Sequence, residues 1–138
     1  MSMSLVDASV WIDFFSGRPT PEVAELKRLL NDGKRVYTCG VVLTEVLQGI
    51  RKDEDYRKIV ARFNNLRYVP MRRQMFLAAA EMYRSLRRRG ITIRKSVDCM
   101  IAAVAIEHNL PLLHNDRDFD PMEAHCGLKV VKTTKHKP

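Results

Sequence analysis

The sequence predicts an α/β fold with a parallel sheet covered by helices on both faces, and three observations predict it. Short apolar or β-branched runs recur along the chain, at Ser4-Leu5-Val6, Val36-Tyr37-Thr38-Cys39, Arg67-Tyr68-Val69, Pro111-Leu112-Leu113 and Lys129-Val130-Val131. Helical patterns lie between them, which requires crossover connections and therefore parallel pairing. Finally, 138 residues with 46% apolar and 29% charged content fit one globular domain of about 100–200 residues and exclude disordered and low-complexity classes.

The elements follow in order. Ser4-Leu5-Val6 is a strand ending at Asp7, and Ser9 reads as the N-cap of a helix over Val10 to Phe15. Thr20-Pro21 opens a second helix with proline at its first position, and Gly33 closes it. After the Val36 strand, Val41 to Ile50 is helical with Leu43, Val46, Leu47 and Ile50 on one face. Asp53 caps a helix to about Phe63, and Arg67-Tyr68-Val69 is the third strand. The longest helix spans Arg73 to Arg89, with Met75, Phe76, Ala79, Ala80, Met82, Tyr83 and Leu86 as its apolar stripe and Gly90 as its stop. Ser96 caps a helix through His108, followed by the Leu112 strand, an acidic segment from Asp118 to His125 and the last strand. The domain is expected over residues 1–132, with 133–138 a frayed basic tail.

The net charge of +8 is local. Residues 51–95 hold fourteen basic and four acidic side chains, whereas the rest of the chain holds ten and twelve. A positive field so concentrated favours a polyanion, most commonly a nucleic-acid backbone, although a solvated helix face or an acidic protein partner fits charge alone. The three cysteines, Cys39, Cys99 and Cys126, match no metal knuckle and read as thiols of a reducing, cytoplasmic compartment. The longest apolar run, Met100 to Ile106, is far short of the ~20 residues of a bilayer span, so no membrane association is expected. The opening residues reach Asp7 without a basic region, so no secretory signal is expected.

In parallel sheets ligands collect at the carboxyl ends of the strands, which directs attention to four acids. Asp7 follows the first strand, Asp116 follows Leu112-Leu113, Glu45 lies one turn into the helix after the second strand, and Asp98 lies in the first turn of its helix. Asp98 alone fits a helix-dipole partner and Asp116 and Asp118 alone fit turn formers. Glu45 is harder to dismiss, because it interrupts the apolar stretch Gly40 to Leu47. Four carboxylates at one edge repel one another and need a cation; hard oxygen donors select Mg2+ or Mn2+. His108, His114, His125 and His136 lack the paired spacing of a zinc site. Such an ion in a basic protein points to phosphodiester chemistry.

Four segments carry a resemblance: Leu5-Val6-Asp7-Ala8-Ser9-Val10-Trp11-Ile12-Asp13-Phe14-Phe15, Thr44-Glu45-Val46-Leu47-Gln48-Gly49, Ser96-Val97-Asp98-Cys99-Met100-Ile101-Ala102-Ala103 and Leu113-His114-Asn115-Asp116-Arg117-Asp118-Phe119. In order and spacing they resemble the motifs of PIN-domain ribonucleases, most closely the VapC toxins of type II toxin–antitoxin pairs. The resemblance implies a three-layer α/β/α sandwich with a five-stranded parallel sheet. It also implies an endoribonuclease dependent on Mg2+ or Mn2+, a homodimer, and inhibition by a VapB antitoxin. Carried over, Asp7, Glu45, Asp98 and Asp116 form the catalytic quartet, with Asp7, Asp98 and Asp116 on metal, Asp118 as an auxiliary acid and Ser9 supporting Asp7. The family often has Thr where His114 stands.

Arg51, Lys52, Arg72, Arg73, Arg87, Arg88, Arg89, Arg94 and Lys95 are the candidates for RNA phosphate contacts. Trp11 and Phe14 share a helix face and read as core or dimer contact, Met75, Met82 and Met100 as core, and Asp13 as structural. Transfer RNA is a plausible substrate for the family. The rival readings are a PIN-fold nuclease of RNA processing or regulation and a non-catalytic nucleic-acid or antitoxin-binding module. A haloacid-dehalogenase-like phosphatase is disfavoured, since it needs a second Asp where Ser9 stands.

Overall fold

A computed structural model of the chain describes residues 3–31 and 35–133. The elements run β1 (Ser4–Val6), α1 (Ala8–Phe15), α2 (Pro21–Asn31), β2 (Val36–Thr38), α3 (Gly40–Gln48), α4 (Asp53–Phe63), β3 (Arg67–Tyr68), α5 (Arg73–Arg88), α6 (Ser96–Glu107), β4 (Leu112–Leu113), a 3-10 turn at Arg117–Phe119 and α7 (Asp120–His125). All strand pairs are parallel, in the order β3-β2-β1-β4.

This order creates the site. The chain builds outward from β1 through β2 to β3, then returns to place β4 on the other side of β1. Right-handed crossovers in opposite directions put their helices on opposite faces. Accordingly α1 packs with α2 and α3, α3 packs with α4, and α5 packs with α6, while α3 also touches α6. The direction reverses between β1 and β4, and at such a switch point the loops leaving adjacent strands diverge and open a crevice.

The sheet has four strands among the described residues, one fewer than the resemblance implies. Lys129-Val130-Val131 contributes a single parallel bridge, Val130 to Leu112, made by Leu112 N–H donating to Lys129 O and Val131 N–H donating to Leu112 O, both at 2.9 Å. The reason lies in β4, which is two residues long before the chain turns into the acidic loop. A fifth strand has no further backbone to pair with.

The core is continuous through the layers. Leu5, Val6, Leu112 and Leu113 are fully buried between Val10 and Trp11 of α1, and Ile101, Ala102, Val104 and Ala105 of α6. Each fully buried large aliphatic side chain contributes about 1.5–3 kcal/mol. Residues 98–105 are buried with the exception of Met100, as a helix in mid-protein requires. In α5 the buried residues are Met75, Ala79, Met82 and Leu86, one stripe at helical spacing. The broader predicted stripe is too wide: Phe76 is 44% exposed, Ala80 is exposed and Tyr83 is half-buried, because α6 covers one side of α5 only.

Three predicted caps shift by a residue or two. Asp7, not Ser9, caps α1, with its Oδ2 accepting from Ser9 N–H at 2.9 Å. Asp53 and Ser96 are already helical, and Lys52 and Lys95 precede them. Thr20 Oγ1 accepts from Val23 N–H at 3.0 Å as a cap should. Gly90, at φ +82°, ends α5 with Ile91 N–H donating to Leu86 O. The predicted stop at Gly33 and the tail from 134 onward lie outside the described residues.

Candidate active site

The four acids come from the termini that the topology gathers. Asp7 leaves β1 and is held in the ladder by its N–H donating to Leu113 O at 2.9 Å. It is 4% exposed, and burial pushes its carboxyl above the usual range against the opposing bonds from Ser9. Asp98, in the first turn of α6, is 1% exposed, and its Oδ2 has no hydrogen-bond partner. Burial pushes it up to about 7; Lys95 opposes, while Asp7, Asp116 and Glu45 add to the rise. Glu45, half-buried on α3, is raised by burial and then by Asp7 and Asp116, with Lys95 opposing. Asp98 and Glu45 both feel the charges of Asp7 and Asp116, so the four share one electrostatic centre.

Asp116 begins the loop after β4, and its Oδ1 accepts from Asp118 N–H at 3.0 Å. Ligand oxygens of Asp98, Asp116 and Asp118 all lie within 4.8 Å of one another, the only such group of acids, cysteines or histidines among the described residues. Asp7, expected on metal, stands outside that tightest group, with its Oδ2 accepting at the α1 cap; Asp118, expected as auxiliary, stands inside it. A buried carboxylate with an unpartnered oxygen, grouped with two further carboxylates, fits a divalent cation.

The loop carrying Asp116 is tied to α1. Ser9 Oγ accepts from Asn115 N–H at 3.0 Å, and Asp13 Oδ2 accepts from the Asn115 side-chain amide at 3.1 Å. Ser9 thus serves both Asp7 and the opposite loop. His114 is half-buried against Phe119, and burial holds its pKa below the ordinary histidine value. Its Nδ1 accepts from Asp116 N–H at 3.1 Å, so it positions Asp116 from the backbone side.

The basic residues divide. Lys95 Nζ lies 4.0 Å from Asp98 Oδ1 and 3.8 Å from Asp116 Oδ2, and Arg94 donates from Nε and Nη2 to Asp118 Oδ2 at 3.1 and 2.9 Å. Both belong to the acidic centre. Arg72, Arg73, Arg87, Arg88 and Arg89 are exposed near the ends of α5, with Arg88 on Glu81 and Arg87 over the Tyr83 ring. Sequence reasoning missed Asn115 and placed Lys95 only on the RNA surface. The visible signal for Lys95 was its position three residues before Asp98, which a helix start turns into proximity.

The sequence profile of the PIN domain matches residues 4–124. The chain is 35% identical over 131 residues to the VapC ribonuclease Mb1587 of Mycobacterium bovis, covering 94% of this chain and 98% of that one. Ribonuclease VapC11 of Mycobacterium tuberculosis matches with the same identity and coverage. In three dimensions it is similar to VapBC2 from Rickettsia felis bound to a promoter DNA fragment, with TM-score 0.75, 19% identity and coverage of 94% and 97%. The chain belongs to the PIN-domain family and, within it, to the VapC ribonucleases. No helix among the described residues is long and apolar enough to cross a membrane.

Proposed function

We propose that the protein is the toxin of a type II toxin–antitoxin pair, an endoribonuclease that hydrolyses RNA with Mg2+ or Mn2+ held by Asp98, Asp116 and Asp118, with Asp7 beside them. The observation that carries this reading is the Asp98 carboxylate: 1% exposed, one oxygen unpartnered, and grouped with Asp116 and Asp118 in a set of hard oxygen donors that suits a divalent cation. When bound, such an ion lowers the pKa of water and neutralises charge on a scissile phosphate.

The chain's own groups do the rest. None of the described hydrogen bonds engages Glu45, whose raised pKa suits it to take a proton from the attacking water. Water oxygen bonds to phosphorus as the bond to the 3′ oxygen breaks, and a proton passes to that oxygen, leaving 5′-phosphate and 3′-hydroxyl ends. Ser9 and His114 hold Asp7 and Asp116 in place. The arginines flanking α5 supply phosphate contacts along the strand, and single-stranded RNA, as in a transfer-RNA loop, suits an open crevice.

A VapB-type antitoxin and a second copy of the chain are the proposed protein partners. The relatives' names and the exposed Phe76, Leu77 and Ile12 support that reading. The domain is proposed to span residues 1–132, with 133–138 as a basic tail, and its place of action to be the cytoplasm.

The test is cleavage of total cellular RNA with and without Mn2+, wild type against Asp98→Ala, with the cut ends mapped. Metal-dependent 5′-phosphate ends lost in the variant are expected. Cyclic 2′,3′-phosphates made without metal overturn the reading. Induced expression should arrest growth, and growth arrest by an Asp7→Ala variant equal to wild type would refute the catalytic origin of toxicity.

A further inference from the structure

The acidic centre already contains cations of its own. Two consecutive residues engage all three of the closest carboxylates: Lys95 reaches Asp98 and Asp116, and Arg94 holds Asp118. The two engagements differ in kind. Arg94 makes two directed bonds of 2.9 and 3.1 Å, whereas Lys95 Nζ stands 3.8–4.0 Å from its partners, beyond hydrogen-bond length and held by charge alone. The Lys95 side chain is 52% exposed on a flexible stem. Its single charge leaves Asp98 Oδ2 unpartnered. Lys95 therefore compensates the centre incompletely and reversibly.

Lys95 also lines a groove of about 570 Å3 with Gly40, Thr44, Glu45 and Gln48. The groove gives the Lys95 ammonium a place to stand beside Glu45 when it leaves the carboxylates.

We propose that Lys95 is a tethered competitor for the divalent ion: ammonium and ion occupy the Asp98–Asp116 position in turn, and the displaced ammonium contacts the phosphate of the bound RNA. This rests on the reading of the centre as a divalent-metal site. The arrangement stores the counter-charge that keeps a metal-free centre folded and redeploys it on the substrate once metal arrives. It sets the ion concentration at which the enzyme becomes competent.

The test is Mn2+ titration calorimetry on the RNA-free full chain, comparing wild type, Lys95→Met and Lys95→Gln, with Asp98→Asn as the control. Removing the competing charge should tighten Mn2+ binding roughly tenfold in both lysine variants. Their melting temperature without metal should fall. At saturating Mn2+ their single-turnover cleavage should slow by about tenfold, while Lys95→Arg retains most of the rate. Unchanged or weaker Mn2+ binding in both lysine variants overturns the competition. Wild-type cleavage by both at saturating Mn2+ overturns the phosphate contact. If Asp98→Asn binds Mn2+ as tightly as wild type, it is the metal reading that fails.

Discussion

Helix α1 serves two regions of opposite character. At its start, Asp7 and Ser9 join a centre where burial and neighbouring acids push carboxyls up, with Asp98 near 7. One turn on, Trp11 is fully buried, its ring 4.7 Å from that of Phe63, 5.7 Å from Phe15 and 5.9 Å from Phe14. In the aromatic cluster nearly every contact is gained on folding. In the acidic centre folding removes water from charges and brings like charges together. The lesson is that the centre is retained against the stability gradient, as sites kept for chemistry are.

Five variants or conditions sharpen or break that contrast. The largest effect belongs to Asp7→Asn, which keeps the cap acceptor; cleavage at saturating Mn2+ should fall on the order of 10³-fold. A rate near wild type would remove Asp7 from the centre. Trp11→Ala should cost about 3–5 kcal/mol in urea unfolding, and a loss below that of a surface substitution would deny the aromatic cluster its part. Asp98→Asn should do the reverse, stabilising the metal-free protein by about 2 kcal/mol while cleavage disappears.

The fourth concerns pH. Because the folded pKa of Asp98 is raised from 3.8 to about 7, the native state binds more protons than the unfolded state between those values. Metal-free stability should therefore decline from about pH 4 to pH 7 and level off in this contribution above it. Asp7 and Glu45 act in the same sense. Urea midpoints across that window should show the decline without metal and a flatter profile with saturating Mn2+; identical profiles would count against ion binding at these acids. Smallest of all is Glu81→Gln, which removes an exposed pair of contacts to Arg84 and Arg88. Its melting temperature should not move measurably.

Asp7, Asp98 and Asp116 are legible because each sits where a strand ends or a helix begins, and parallel topology brings such points together; Glu45 is legible as a charge inside the apolar α3. Asp7 after β1 and Asp116 after β4 flank the switch point that the strand order creates. Which oxygens face one another was not legible: Asp7 spends Oδ2 on Ser9 N–H, a choice made by local backbone angles, and Asp118 moves inward through the 3-10 turn. Lys95 reads in sequence as one more member of a basic stretch, and only the start of α6 aims it at Asp98. The fifth strand is expected from the β-branched run Lys129-Val130-Val131 and from the family resemblance, whereas pairing depends on the length of the neighbour. Phe76 and Ala80 were read as buried because periodicity reports an apolar stripe without saying how much of it a neighbouring helix covers.

Asn115 joins α1 to the loop that carries Asp116. Through it, Ser9 and Asp13 fasten the loop beyond β4 to α1, so the gap between Asp7 and Asp116 is gauged by a helix as well as by the sheet. A change at Asp13, which touches no member of the acidic quartet in the described hydrogen bonds, would slacken that gauge. Ion preference can thus drift through α1 while every ligand stays in place.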